Sequence, residues 1–430
     1  MTHQPESQPV AIPVARSTLL APAPGRDVTW TGLLAFLLLG WSALLVPSSI
    51  REIEAAFGQS DAGMGLAYLL NNLLYITATL SVGWVAGRLV RAPVLGAGPG
   101  LIAIGLGIVA IAPDWSVFLA GFLVLGLGAG LIDSGVNALF MDLYEGRAAG
   151  ALNRLHLFFA LGALASPLAT GIAISNGVPW QALVGATAVV AVPIAVALAT
   201  RGMPPVHPAG ADRRTAPHAP ATSRPRLRLL PLPLVALAVA IATYVAAEIG
   251  VSSWLVRYLD EAPVAQATLA LSLFWGGLAL GRLVSSFVAD RVGAVRYALV
   301  WSTAAGIAIV ASLLAPTIPI AIACFALAGF AAGPVYPMIV AIGGALYPGR
   351  SSTVSGVLVS AAMVGSIVYP PLMGVLSEAV GLRVGMLGAG LAMLVSAASI
   401  LVASRLASGG SARRPEAASE GATAPVAAPR

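Results

Sequence analysis

Twelve apolar runs, each long enough to cross a bilayer as a helix, follow one another between short polar breaks, and nothing else in this chain constrains its fold as strongly. A hydrocarbon layer about 30 Å thick takes roughly 20 helical residues to cross. The runs predict helices at 29–49, 63–87, 92–113, 115–140, 149–175, 177–199, 232–258, 266–289, 295–315, 317–345, 352–377 and 382–404. Charged residues make up only 9% of the chain, against roughly 25% in a soluble domain, so lipid must be the solvent for most of its surface. Gly and Pro inside several runs fit this reading, because membrane helices tolerate both. Short alternating strands, the mark of a membrane barrel, do not occur in the pattern. The expected fold class is an all-α membrane protein.

Arginine placement sets the expected orientation. With twelve spans and the N-terminus inside, the outer loops hold only Arg51, Arg257 and Arg383, and the inner segments hold nearly all the rest. That asymmetry predicts a multi-pass protein of the cell inner (plasma) membrane with both termini cytoplasmic. The first apolar run is helix-length and starts late, so no cleavable signal peptide is expected. Residues 1–28 and 405–430 read as disordered cytoplasmic ends. The basic, Pro-rich stretch 200–231 reads as a cytoplasmic linker between an N-terminal half, 29–199, and a C-terminal half, 232–404.

The two halves repeat each other. A shift of 203 residues, without gaps, places Gly126 and Gly130 on Gly329 and Gly333, and "LYEGR" at 143–147 on "LYPGR" at 346–350. It also places Gly162, Pro167 and Gly171 on Gly365, Pro370 and Gly374, and Arg88 on Arg291. One constant offset across several elements marks a duplicated, parallel repeat. In such proteins the central site lies near the bilayer midplane, between the halves.

Ionisable side chains inside a membrane are costly and therefore draw attention. Five stand as candidates inside the membrane: Asp133, Arg154, His156, Glu248 and Arg282. Asp133 and His156 lie at similar depth on sequential helices, with Asn137 and Asn153 near them. A carboxylate, an imidazole and two amides at one level can bind hydroxyls or relay a proton; Asp133 can equally pair with Arg154 or His156 as a structural lock. Glu248 is a second membrane carboxylate, with either a substrate or proton role or a purely structural one. Arg282 can snorkel to the interface or pair with a carboxylate, in a structural or gating role. Arg154 is near enough to the edge to snorkel. Trp254, Trp275, Tyr336, Trp41, Asn71 and Asn72 are candidates to line a cavity, or simply to pack against helices and lipid.

Other chemistry is poorly supported. The single cysteine, Cys324, lies in an apolar run and cannot form an intrachain disulfide. The histidines are scattered, and no metal site, cofactor or catalytic constellation is expected; the chain does not read as an enzyme. "GAGPG" at 96–100 lacks the lysine of a phosphate loop and lies in a span. The basic residues sit in loops, which argues against nucleic acid as a partner. The expected partners are the lipid bilayer, a small-molecule substrate and protons, and a monomer suffices.

Local motifs carry a family resemblance. "SSFVADRVGAVR" at 285–296 resembles the major facilitator loop motif, with Asp290 and Arg291 at its charged positions. The first-half copy, "GWVAGRLVR" at 83–91, keeps Gly83, Arg88 and Arg91 but has Gly87 where the family usually carries Asp. "YVAAEIGVSSWLVRY" at 244–258, "GLIDSGVN" at 130–137 and "LNRLHLFFALGA" at 152–163 resemble segments of the fucose permease-like sugar:proton symporters. Glu248 stands where that family carries Gln, and Ala43 where it carries a helix-1 Asp. The resemblance implies the major facilitator fold, two pseudo-symmetric six-helix halves, and proton-coupled transport of a small polar solute such as a monosaccharide. It implies substrate or proton contacts at Asp133 and Asn153, to which the residue chemistry adds Asn137, His156, Glu248, Trp254, Tyr336, Asn71 and Trp275. Gating or structural charges are expected at Arg88, Arg282, Asp290 and Arg291. Proton-antiport efflux and a transport-inactive sensor or scaffold are the alternatives.

Overall fold

The computed structural model describes residues 26–85, 91–144, 148–201 and 230–411. The first half comprises α1 (Arg26–Ser48), α2 (Ile50–Phe57), α3 (Asp61–Val85), α4 (Arg91–Ala110), α5 (Trp115–Leu143), α6 (Ala148–Ser175) and α7 (Trp180–Thr200). The second comprises α8 (Leu232–Tyr258), α9 (Val264–Val292), α10 (Ala294–Leu313), α11 (Ile318–Ala332), α12 (Val335–Leu346), α13 (Ser351–Val380) and α14 (Leu382–Ser411). Among the described residues, twelve segments are long and apolar enough to span a membrane, α11 and α12 together making one of them. Among the described residues there is no strand.

The structure departs from the predicted elements in three places. First, α2 lies in what hydropathy leaves as a loop. Its charged residues lower the apolar average, yet Ile50 and Ile53 fall three apart and are fully buried. Phe57 completes that face, packing on Phe118 at 5.3 Å and Trp180 at 6.3 Å between ring centres. Second, the predicted helix 317–345 is broken between α11 and α12. Pro334 has no backbone N–H to donate and its ring crowds the preceding turn. Third, α1 begins at Arg26 and α14 runs on to Ser411, past the predicted ends at 29 and 404. Extending an established helix is easy, and hydropathy reports only its membrane part.

The 203-residue offset is a property of the architecture. Asp61, Arg91, Trp115 and Ala148 begin α3, α4, α5 and α6; their counterparts Val264, Ala294, Ile318 and Ser351 begin α9, α10, α11 and α13. The same glycines make the same close helix crossings. Gly126 lies on the carbonyl of Asn71 and its mate Gly329 on that of Phe274; Gly130 lies on Tyr75 and its mate Gly333 on Leu278. A Cβ at any of these four would overlap the facing backbone. Small residues of this kind let membrane helices approach closely.

The halves meet along α6 against α9 and α3 against α13, with α1 touching α8. These contacts concentrate at the end that carries α2. There Gly374 abuts Asp61 and Gly171 abuts Thr268. Toward the other end, where α7 finishes and α8 begins, Gly150 on α6 and Gly356 on α13 face open space. The described contacts between the halves thus close the bundle at the α2 end.

Candidate functional site: a cavity between the halves

Between the halves lies a cavity of about 390 Å³, within the range of small-molecule sites. The first half contributes Phe36, Ser42, Ala43, Asn71, Asn72, Tyr75, Phe122, Asp133, His156 and Phe159 to its wall. The second contributes Glu248, Ser252, Ser253, Trp275, Arg282 and Ser366. Its surface is mainly apolar and aromatic, with a few polar groups gathered at two places.

The first polar centre is Asp133 on α5. The Tyr75 hydroxyl donates to its Oδ2 at 2.7 Å, and the Asn137 amide donates to its Oδ1 at 3.1 Å and its backbone carbonyl at 2.8 Å. Asn137 is held one turn along the same helix, as the i, i+4 spacing requires. His156 stands across from the carboxylate, close enough to interact with its charge, and its ring packs edge-on to Phe36 at 5.5 Å. A carboxylate with two donors and an imidazole nearby can bind hydroxyls or exchange a proton.

The second is the pair Glu248–Arg282, joining α8 to α9. Nη2 of Arg282 lies 3.5 Å from Oε1 of Glu248. Arg282 Nε donates to the carbonyl of Gly333 at 3.2 Å, at the break between α11 and α12. The helix break thus supplies part of the arginine's seat. The Arg282 side chain is 38% exposed and that of Glu248 only 9%, so a solute in the cavity meets the cation first. The Tyr244 hydroxyl is buried beside the pair without a well-formed hydrogen bond.

At the α2 end the cavity is sealed by a polar lock across the halves. Arg257 lies 2.9 Å from Glu54, 2.9 Å from Asp61 and 2.9 Å from Asp260. Ser377 donates to the other oxygen of Asp61, and Glu378 accepts from the Ala62 N–H at 3.0 Å. Arg51 grips the last turn of α8 and the turn beyond it: it donates to the carbonyls of Val256 at 2.9 Å, Ala262 at 2.8 Å and Leu259. Cations suit a helix C-terminus, where carbonyls lack intrahelical partners. Glu54 is buried, and burial together with the Asp61 charge, offset only in part by Arg257, pushes its carboxyl up to about 8. Beneath the lock, the Tyr68 hydroxyl donates to the Ser253 carbonyl at 3.3 Å.

Of the residues singled out from sequence, the cavity wall brings together Asp133, His156, Glu248, Asn71, Trp275 and Arg282. Asn71 donates to the Phe122 carbonyl at 2.6 Å, and Asn72 reaches across to the Ser366 carbonyl at 3.4 Å. Trp275 packs against Phe159 at 5.7 Å, its indole N–H shielded and without a partner. Asn137 is off the wall and hydrogen-bonded to Asp133. Asn153 is exposed on α6, off the wall. Trp254 is fully buried off the cavity wall, donating to the Pro370 carbonyl at 2.9 Å. Tyr336, the repeat mate of Asp133, lies behind the wall, 6.2 Å from the Tyr244 ring and within reach of the charges on Glu248 and Arg282. Trp41 donates to Thr187 at 3.0 Å, away from the cavity. Arg154 does not pair with Asp133; it lies over the Tyr144 ring at 5.4 Å. Arg291 is exposed and donates to the Phe287 carbonyl at 3.1 Å. Arg88 and the Asp290 side chain lie outside the described residues. Ala43, at the position of the resembling family's Asp, lines the cavity. Sequence reasoning missed Tyr75 and the whole α2-end lock; the acidic residues of "REIE" and Asp61, opposite two outer arginines, were the available signal.

Two parallel halves around a central polar cavity are a recognisable architecture, and comparison with known proteins decides the family. The Major Facilitator Superfamily matches residues 31–262 and again 249–428. The chain belongs to that superfamily. A gentisate transporter of Corynebacterium glutamicum is 25% identical over 435 residues, covering 94% of this chain and 96% of that one. The mouse sodium-dependent glucose transporter 1A is 25% identical over 139 residues, 33% of its length, and a Brucella abortus glucose/galactose transporter is 29% identical over 154 residues, 36% of its length. The chain thus spans well under two thirds of these sugar-transporting relatives. Among solved structures, a bacterial homologue of the human lysosomal transporter Spinster, inward-facing and occupied, superposes with a TM-score of 0.73 at 16% identity, over 90% of this chain and 98% of that one. This superfamily member has the same fold as that protein.

Proposed function

We propose that this superfamily member is a secondary active transporter that carries a small polar solute through the central cavity by alternating access, coupled to protons. The observation that carries this reading is a cavity built by both halves, holding two membrane carboxylates and closed at the α2 end by contacts across the halves. Rocking the halves about such a site exchanges which end is open. With the N-terminus cytoplasmic, as the arginine asymmetry suggests, the α2-end lock faces outward, and the arrangement with that lock closed is the one that admits solute from the cytoplasm. Asp133 is the leading proton or hydroxyl partner, supported by its donors Tyr75 and Asn137. Asn71 and Ser42 offer polar edges, and the aromatic walls suit an apolar face of the solute. A monosaccharide, as in the partial sugar-transporting relatives, and an organic acid, as in the full-length relative, are both of suitable size.

Reconstitution in proteoliposomes tests this. A panel of sugars and organic acids is presented with an imposed inward proton gradient. At least one solute should accumulate beyond its own gradient, and Asp133→Asn should abolish the pH dependence. An Asp133→Asn protein with normal pH-driven uptake refutes the residue assignment. No solute flux of any kind, with the protein folded, favours a sensor or scaffold.

A further inference from the structure

The charges in the cavity narrow the class of solute. We propose that the transported solute is a monocarboxylic acid with an apolar or aromatic body, whose carboxylate docks on Arg282 while Glu248 behind it takes up one proton. This rests on the transporter reading above.

Arg282 offers itself to the cavity. A guanidinium has five donors in a fork that matches a carboxylate. Here the contacts that hold it are loose: 3.5 Å to Glu248 and 3.2 Å to the Gly333 carbonyl, against about 2.7–2.9 Å for a tight charge-assisted bond. Both line the cavity, and more of Arg282 than of Glu248 is free for a solute to contact. A sugar's hydroxyls can hydrogen-bond to both members of this pair but bring no charge to the guanidinium. A carboxylate would complete it, with its body against Phe36, Phe122, Phe159 and Trp275.

The charge balance then follows. Before binding, Arg282 and Glu248 neutralise each other. A second carboxylate on the same guanidinium leaves one cation and two anions in a mainly apolar pocket. Two carboxylates sharing such a site do not both stay ionised. The buried one, Glu248, takes a proton from the solution to which the cavity opens. Facing Glu248 are Tyr244 on its own helix, Arg282 from α9 and Tyr336 from α12, with Asp133 and His156 across the cavity. Among the described residues, none of the groups next to it is a second cation that could hold both anions. One anion and one proton then cross together with no net charge. A pH gradient drives this cycle and a membrane potential does not; a sugar carried with a proton would respond to both.

The full chain in proteoliposomes provides the test, with labelled 4-hydroxybenzoate and labelled glucose as probes and protein-free vesicles as the baseline. An inward proton gradient should accumulate 4-hydroxybenzoate, and a potassium–valinomycin potential alone should not. In detergent, quenching of tryptophan fluorescence should report 4-hydroxybenzoate binding whose affinity falls about tenfold per pH unit over the range where binding takes up a proton. Glu248→Gln should flatten that slope. Arg282→Gln should lose binding, and Arg282→Lys, which keeps the charge without the fork, should weaken it at least tenfold. If Arg282→Gln fails to fold, the lysine variant and the wild-type pH slope still decide. Potential-driven glucose uptake without 4-hydroxybenzoate uptake overturns the carboxylate inference and leaves the transporter standing. Binding unaffected by Arg282→Lys and independent of pH overturns it as well. Absence of flux for every solute tried overturns both.

Discussion

Replacing Arg257 by Gln should unlatch the α2 end. The substitution leaves Glu54 and Asp61, whose side chains are 9% and 10% exposed, facing each other without the cation they share. Breaking a fully buried ion pair costs about 3–5 kcal/mol, and an exposed one under about 1 kcal/mol. Arg257 is itself 30% exposed, so the loss falls between these, on the order of 2 kcal/mol. Protonation of Glu54 relieves part of the repulsion and is already allowed for in choosing the lower half of that range. The interactions lost with Glu54 and Asp61 belong to the closed arrangement, because those two sit on the half opposite Arg257. The population open at the α2 end should therefore rise about thirtyfold. The assay is thiol labelling of Ser253→Cys, on the cavity floor, by an impermeant maleimide supplied from the α2 side, with Cys324 replaced by Ser. Labelling should speed up by about that factor in Arg257→Gln. It should change little in Asp260→Asn, whose carboxylate is 59% exposed. An unchanged rate in Arg257→Gln would refute the assignment of this cluster as the latch.

Three further outcomes follow from particular side chains. The Glu54 carboxyl sits at about 8 in the closed lock against an ordinary 4.5, so protonation favours closure; the lock should tighten as the α2-side pH falls from about 8 toward 4.5, and loosen again as pH rises through 8. Spin-label distances across the α2 end against pH would read this, and Glu54→Gln should remove the dependence. Gly329→Val drives a side chain into the Phe274 carbonyl and should cost about 1–3 kcal/mol of stability in a detergent melt, whereas Gly107→Ala, which meets nothing, should not. Tyr75→Phe removes a hydrogen bond to the Asp133 carboxylate, worth about 1.5–3 kcal/mol when the acceptor is charged, and should shift the pH profile of uptake toward higher pH without changing expression.

The span count and the two-half plan were legible because both leave long-range signatures in the chain. Lipid demands uninterrupted apolar length, and duplication leaves a constant spacing of glycines such as Gly126 and Gly329, which backbone crossings hold in place. What escaped was whatever depends on partners brought together by folding. Glu248 and Arg282 stand out singly as charges in apolar runs, but their pairing requires the packing of α8 beside α9. Tyr75 carries no formal charge and so no hydropathy signal, yet it is the closest partner of Asp133. The lock is built from Glu54, Asp61 and Arg257, which read as ordinary loop charges, and from α2, whose burial comes from Ile50, Ile53 and Phe57 in a segment too polar to register as a span. The break at Pro334 was visible as a residue but not as a consequence, because prolines at 167 and 193 sit inside continuous helices.

Alternating access around the central cavity is tested most directly by measuring both ends of one molecule at once. One pair of spin labels spans the halves at the α2 end, and a second pair spans α6 and α13 near Gly150 and Gly356. The reciprocal reading is taken with and without a transported solute. The account requires the two distances to move in opposite senses, the α2 end widening in the molecules whose other end narrows. Distances that stay fixed, or that widen and narrow together, would contradict it.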